Sequence, residues 1–187
     1  MNIHGSWLPY TGCVMAIDPS GKGRDETAYC VTKFANGNIY LLDIGGFNAG
    51  YSEHTLSKLV DVAKKHKVNK ILIEQNFGQG MFEALLKPYL IKQYPCTTEM
   101  VHQQSNKHRR ILDTLEPIIS QHRLIVDKYV VKKDYEETNM LYPQETALRY
   151  QLFYQLSRLQ KEVHSLSQDD RIDCLQVACT HWVKHLS

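Results

Sequence analysis

Four acids hold most of the chemical promise of this 187-residue chain: Asp18, Glu74, Asp170 and Asp173, with Asp169 beside them. Asp18 closes the apolar run CVMAID, and Glu74 stands at the end of KILIEQ. An acid that ends an apolar, strand-like run is hard to explain as surface decoration. Asp170 and Asp173 lie three apart in QDDRIDCL, so a helix there turns both to one face. The same helix continues with Leu175, Val177, Ala178 and Trp182, which belong in a core. Carboxylates beside such neighbours are costly unless a cation or a bonded partner compensates them. Hard oxygen donors without a His or Cys set favour Mg²⁺ or Mn²⁺ over zinc. Each acid alone has a plainer reading. Asp18 would serve as a turn former, and Asp169 or Asp170 would favour the positive end of a helix. Together they describe a corner of an acidic metal site.

The stretch AIDPSGKGRDETAY, residues 16–29, offers a competing chemistry, because Gly21-Lys22-Gly23 follows a strand-like run as a phosphate loop would. A Walker loop needs G-x-x-x-x-G-K-[ST] opening a helix. Here Ala16 stands at the first glycine position, Gly23 replaces the hydroxyl, and TAYCVTKF reads as a strand. The glycines are therefore expected to build a turn between two antiparallel strands.

The elements that must position these groups follow from periodicity. CVMAID, TAYCVTKF and NIYLLDIGGF read as three strands, and Asn36-Gly37 predicts a hairpin between the last two. SEHTLSKLVDVAKKHKV switches to helical spacing behind Ser52 as N-cap. KILIEQ, TTEMVH and RLIVD are short strands; MFEALLKPYLIKQY is a helix interrupted or kinked near Pro88; NKHRRILDTLEPIISQH is a helix. Residues 128–143 are charged and aperiodic, and read as a mobile loop or hairpin. QETALRYQLFYQLSRLQKEV and DDRIDCLQVACTHWVKHL close the chain as two helices. Three strands followed by alternating helix and strand is a mixed α/β pattern, with the acids along one rim of its sheet.

Bulk properties narrow the function. The length suits one domain with a sizeable core. A net charge of +2 puts any nucleic-acid affinity in local basic patches. No apolar run approaches the roughly 20 residues that span a bilayer. The five scattered cysteines, Cys13, Cys30, Cys96, Cys174 and Cys179, form no C-x-x-C pair and read as buried thiols in a reducing compartment. The opening MNIHGSWLPYTG has no signal-peptide pattern. Residues 1–6 are expected to be vector-derived and residues 7–187 to form a single domain.

AIDPSGKGRDETAY, ILIEQNFGQG and LSQDDRIDCLQVA, in that order and spacing, resemble the nuclease domain of tailed-phage DNA-packaging terminase large subunits, of the podovirus type also called DNA maturase B. NKHRRILDTLEPII resembles a helix of the same domain, so the resemblance covers nearly all the chain after the first dozen residues. It implies a ribonuclease-H-like α/β fold: a central mixed sheet of five or more strands, the first three antiparallel, with helices on both faces. It implies an endonuclease that cuts double-stranded viral concatemers during genome packaging with two divalent cations, Mg²⁺ or Mn²⁺. Asp18 matches the first-strand aspartate and Glu74 the second motif. Asp170 and Asp173 match the third, with the choice between Asp169 and Asp170 as ligand left open. Asp25 would stand behind the first motif. The partners implied are double-stranded DNA, an upstream ATPase domain whose Walker motif this chain does not carry, the small terminase subunit and the portal. No membrane is implied, and the location is the host-cell cytoplasm.

Phosphate contacts are expected from Lys22 and Arg24 beside the first acid, from Asn76 in NFGQG, from Lys107, Arg109 and Arg110 at the head of a helix, and from Lys128, Lys132 and Lys133. Taken singly, each lysine reads more plainly as a solvated surface charge. His102, His108 and His164 fit core or surface roles better than the site. The rival readings are a Holliday-junction resolvase, an RNase H-type nuclease, an actin-like ATPase and a non-catalytic DNA-docking module. Substrate form separates the first two, and the ATPase needs a second lobe.

Overall fold

The computed structural model describes residues 12–20, 26–75, 80–159 and 166–184. Thirteen elements follow in chain order. Strands β1 (Cys13–Asp18), β2 (Thr27–Ala35) and β3 (Asn38–Phe47) come first, then helix α1 (Glu53–Lys65), β4 (Lys70–Glu74), α2 (Met81–Gln93) and β5 (Thr97–Val101). The remainder is α3 (Lys107–Ser120), β6 (Leu124–Val126), α4 (Lys128–Leu141), α5 (Gln144–Tyr150), α6 (Leu152–Arg158) and α7 (Asp170–Lys184).

The strands form one six-stranded mixed sheet in the order β5-β4-β1-β2-β3-β6. β1, β2 and β3 are an antiparallel meander. Asn36 and Gly37 make its second turn with positive φ at both positions, the conformation a tight hairpin demands. β4 joins β1, β5 joins β4, and β6 joins β3, all in parallel.

Alternation along the strands divides the core in two. Met15, Ile17, Ile71 and Ile73 face α1 and α2, where Leu56, Leu59, Val60, Leu86 and Leu90 cover them. Val14, Ala16 and Leu72 face the opposite layer of Ile111 and Leu115 from α3, Val130 from α4 and most of α7. That second face is the one that carries Asp18 and Glu74, each two residues on from Ala16 and Leu72. The parallel register pairs Ile17 with Ile73, so the two acids arrive side by side at the strand ends. α7 lies over the sheet centre. The Cys174 thiol donates to the Ala16 carbonyl at 3.1 Å, and Trp182 donates its indole N–H to Thr32 Oγ1 at 2.9 Å.

Three expectations need correction. Residues 128–141 are α4, not a mobile loop or hairpin. Its buried side chains are Val130, Asp134 and Thr138, a helical stripe that an apolar-periodicity reading misses because two of the three are polar. The helix expected from Gln144 onward is two short ones, separated by the extended backbone of Gln151. Of the interruption or kink expected near Pro88, the interruption does not occur: α2 runs through Pro88, which lies on the exposed side where the freed carbonyl meets water.

Candidate metal centre at the sheet rim

β1, β4 and α7 bring three acids from distant parts of the chain to one point. Asp18, Glu74 and Asp173 are 3%, 4% and 0% exposed. Each offers a carboxylate oxygen, and the three lie within 4.8 Å of one another. The strand ends hold Asp18 and Glu74 on the α7 face of the sheet, and the first turn of α7 supplies Asp173 opposite them. Like charges this close and this dry oppose ionisation. Burial pushes the Asp18 carboxyl well above the usual carboxylate range, and Glu74 and Asp173 push it further. Burial, then Glu74, lifts Asp173 to about 7, against the opposing pull of Lys107 and Arg110.

Two side chains of α3 partly balance this charge. Arg110 reaches Glu74 Oε1 at 3.4 Å and Asp173 Oδ1 at 3.3 Å, and is itself held by Gln176 Oε1 and the Ser105 carbonyl. Lys107 donates to Asp169 Oδ1 at 2.8 Å. It also lies 3.1 Å from Asp173 Oδ2, an ion pair without hydrogen-bond geometry, which is why that oxygen accepts no bond among the described residues. Burial works against the Lys107 ammonium, yet Asp173, Asp18 and Asp169 more than reverse this and its pKa lies above the usual lysine range. Gln103 donates to Glu74 Oε1 at 2.6 Å, while Glu74 Oε2 is buried and accepts nothing among the described residues.

Among the described residues the donor set is oxygen only, more anionic than Lys107 and Arg110 can neutralise, and keeps a buried carboxylate oxygen of Glu74 left over, which fits a hard divalent cation. Spacing along the chain does not separate Asp169 from Asp170, but their surroundings do. Asp169 is half-exposed and pairs with Lys107. Asp170 is buried, and its Oδ2 accepts the Glu26 N–H at 3.4 Å. Neither belongs to the three-oxygen cluster, and Asp170 borders it closely enough to raise Asp18 further.

The expected phosphate contacts separate into groups. Lys107 and Arg110 stand inside the acidic site. Arg109 is on the surface, paired with Asp113; Lys128 is exposed, and Lys132 is exposed and pairs with Glu136. Lys133 departs from the expectation, because it is partly buried and its ammonium is taken up by Tyr29, Asp43 and the Ile44 carbonyl. Lys22, Arg24, Asp25, Asn76 and His164 lie outside the described residues, and so do residues 1–6. His102 and His108 do not join the acidic cluster. The phosphate-loop alternative loses its context, since a strand and not a helix follows the glycines.

Sequence reasoning missed Gln103 and Arg171. Gln103 follows β5 by two residues, and nothing local marks it. Arg171 sits between Asp170 and Asp173 and is fully buried, donating to Glu26, Asp134 and Glu137. The acids on either side of it, Asp170 and Asp173, give it the look of a surface arginine, so the sequence carries no signal for its burial.

Residues 17–124 match the family described as Terminase Bacteriophage T7, Ribonuclease H-like domain. The chain is 40% identical over 168 residues to the terminase large subunit of Enterobacteria phage T3; the match takes in 90% of this chain and 28% of that protein. The chain thus spans less than a third of the length of that relative. Among solved structures, the nuclease domain of the large terminase subunit of bacterial virus Sf6, with manganese and beta-thujaplicinol, superposes with a TM-score of 0.61 at 12% identity, covering 92% of this chain and 90% of that one. The human cytomegalovirus terminase nuclease domain, soaked with Mn, gives 0.60 at 11% identity, covering 92% and 83%. The large terminase of a thermophilic bacteriophage gives 0.59 at 11% identity, covering 95% of this chain and 41% of that one. At such identities the likeness is one of fold: six mixed strands with the antiparallel meander first, and helices on both faces.

Proposed function

Because the chain belongs to the terminase bacteriophage T7 ribonuclease H-like domain family, we propose that it is the DNA-cutting domain of a phage packaging enzyme, a metal-dependent endonuclease acting on double-stranded concatemeric DNA. One observation carries the reading: three buried carboxylates from three separate elements converge within 4.8 Å at the rim of this sheet. Manganese in the Sf6 and cytomegalovirus structures supports a divalent ion here.

Asp18, Glu74 and Asp173 would hold the metal, with Asp170 at the margin of the same site. When bound there, divalent cations, two in this reading, would supply the chemistry of activating a water and of neutralising charge on the leaving oxygen. The protein's own groups do the rest. Gln103 fixes the rotamer of Glu74, and Arg110 ties Glu74 to Asp173 so that both carboxylates keep one orientation. Lys107 and Arg110 offer cations to a phosphate that approaches the acids. Arg109, Lys128 and Lys132 provide exposed charge for the DNA backbone, and Lys22, Arg24 and Asn76 are carried in the same role from sequence. In the longer protein the partners are an ATPase domain, the small terminase subunit and the portal, in the cytoplasm of the host.

The test is supercoiled plasmid incubated with the purified chain in Mg²⁺, Mn²⁺ or EDTA, beside Asp18→Asn. Nicking and linearisation that need both metal and Asp18 are expected. DNA binding without cleavage under any ion would make the chain a docking module. A strong preference for four-way junctions or for RNA–DNA hybrid would reassign it to a resolvase or an RNase H-type enzyme.

A further inference from the structure

A second cluster of buried charge sits behind the acidic site and shares α7 with it. Arg171 Nε donates to Glu26 Oε1 at 2.6 Å, Nη1 to Asp134 Oδ1 at 2.8 Å, and Nη2 to Glu137 Oε1 at 2.9 Å and Glu26 Oε2 at 3.2 Å. The carboxylates are themselves fixed. Tyr142 donates its hydroxyl to Glu26 Oε2 at 2.6 Å, the Gly46 N–H donates to Glu137 Oε1 at 2.9 Å, and the Phe153 N–H donates to Asp134 Oδ2 at 3.3 Å. Gly46 has no room for a side chain, because a Cβ would collide with the Glu26 carboxylate. One guanidinium thus joins α7 to the start of β2 and to α4.

Successive residues of a helix project about 100° apart. Asp170 and Asp173 flank Arg171 at one and two residues' distance, so whatever fixes the direction of Arg171 also fixes theirs. Glu26 makes the link twice over: its carboxylate holds Arg171, and its backbone N–H holds Asp170 Oδ2. The Ile172 N–H adds a bond to α6, donating to Gln155 Oε1 at 3.0 Å. Buried ion clusters are poor stabilisers compared with apolar side chains of the same volume, and their best-attested use is to impose one arrangement. A ligand set needs that, since productive geometry tolerates only about 0.5 Å and 10–20°.

We propose that Arg171 is a positioning residue for the metal centre: by locking the rotation of α7 against Glu26, Asp134 and Glu137, it aims Asp173 at Asp18 and Glu74 and seats Asp170 beside them. The inference rests on the nuclease reading above. It requires metal affinity, more than the fold, to depend on a side chain that points away from the metal.

The test is Mn²⁺ uptake, read from the spin-resonance signal of the free ion, together with thermal unfolding of each variant. Arg171→Lys keeps the charge and loses the fork; it is expected to unfold cooperatively and to bind Mn²⁺ about tenfold or more weakly. Arg171→Met combined with Glu26→Gln and Asp134→Asn removes most of the cluster's charge, is expected to stay folded, and should show a comparable loss. Leu90→Ala empties a buried position on the opposite face of the sheet, in the layer of α1 and α2, and is expected to lower the melting temperature with Mn²⁺ affinity unchanged. Wild-type affinity in the folded Arg171→Lys or triple variant would overturn the positioning role, as would an equal loss in Leu90→Ala. A wild-type chain that takes up no Mn²⁺ would instead overturn the nuclease reading beneath it.

Discussion

Two charge clusters flank the first turn of α7, each with a buried centre and differently finished. Around Arg171, every carboxylate meets a guanidinium, a hydroxyl or a backbone N–H. Around Asp173, three carboxylates crowd together, and Glu74 keeps a buried oxygen that accepts no bond among the described residues. The first arrangement is complete as it stands, whereas the second calls for a charge that the described residues do not supply. Burial alone does not mark a functional site; an unbalanced donor set does.

The largest expected effect breaks the unbalanced side. Asp18→Asn should cut metal-dependent plasmid cleavage on the order of a thousandfold, the scale of losing one key electrostatic stabiliser. The same change removes a carboxyl whose charge is disfavoured by burial and by three neighbouring acids, Glu74, Asp173 and Asp170. In EDTA the variant should therefore melt above the wild type. A variant both inactive and less stable in EDTA would remove the contrast between the clusters.

The balanced side should respond in the opposite way. Arg171→Met leaves Glu26, Asp134 and Glu137 without their shared cation, and losing one partner of a buried ionic network costs about 3–5 kcal/mol. For a domain of this size that lowers the melting temperature by about 10 °C. Scanning calorimetry in EDTA measures it free of any metal contribution.

How much of this was legible beforehand follows the same division. The meander was readable because Asn36-Gly37 separates two strand-like runs, and the rim acids because Asp18 and Glu74 interrupt apolar sequence. These are local signals. α4 was not readable: Asp134 and Thr138 occupy its buried stripe, so its helical period is written in residues that ordinarily mark a surface. Asp134 is buried because Arg171 lies opposite it, 37 residues along the chain. Lys133 was misread for the same reason, since its partner Asp43 comes from a strand 90 residues away. Nothing in QDDRIDCL distinguishes an arginine aimed at solvent from one aimed at three distant acids. Asp169 and Asp170 differ only in what packs against them, which spacing cannot reveal.

Proton linkage sharpens the comparison at a smaller scale. Asp173 has a folded pKa of about 7, raised from an ordinary 3.8, so between those values the folded chain holds a proton that the unfolded chain has released. Its contribution favours folding at low pH and is lost as pH rises toward 7. Asp43 behaves oppositely. Burial raises it, but the His66 hydrogen bond and Lys133 outweigh burial and its pKa falls below 3.8, so its contribution is present above about pH 4 and lost in more acid solution. In EDTA, Asp173→Asn should flatten the stability profile between about pH 4 and about pH 7, while Asp43→Asn should alter it only below about pH 4. Coincident profiles for the two variants would mean that the acidic site is no less balanced in charge than the Asp43 ion pair.

The smallest effect separates lysines that share a helix and differ in duty. Lys128 is exposed at the head of α4, and Lys133, about one and a half turns on, is spent on Asp43 and Tyr29. Each phosphate contact contributes about 0.9 to the slope of log affinity against log salt. Lys128→Ala should reduce that slope for duplex DNA by about this amount, with stability changed by less than about 0.5 kcal/mol. Lys133→Met should leave the slope unchanged and lower the melting temperature, because the charge it removes is neutralised within the protein. Fluorescence anisotropy with a labelled duplex in EDTA, from about 50 to about 200 mM salt, reads both slopes. If Lys133→Met flattened the slope and Lys128→Ala did not, the DNA would have to approach over the buried ion cluster, and Arg171 would lie behind a binding face rather than behind the metal centre alone.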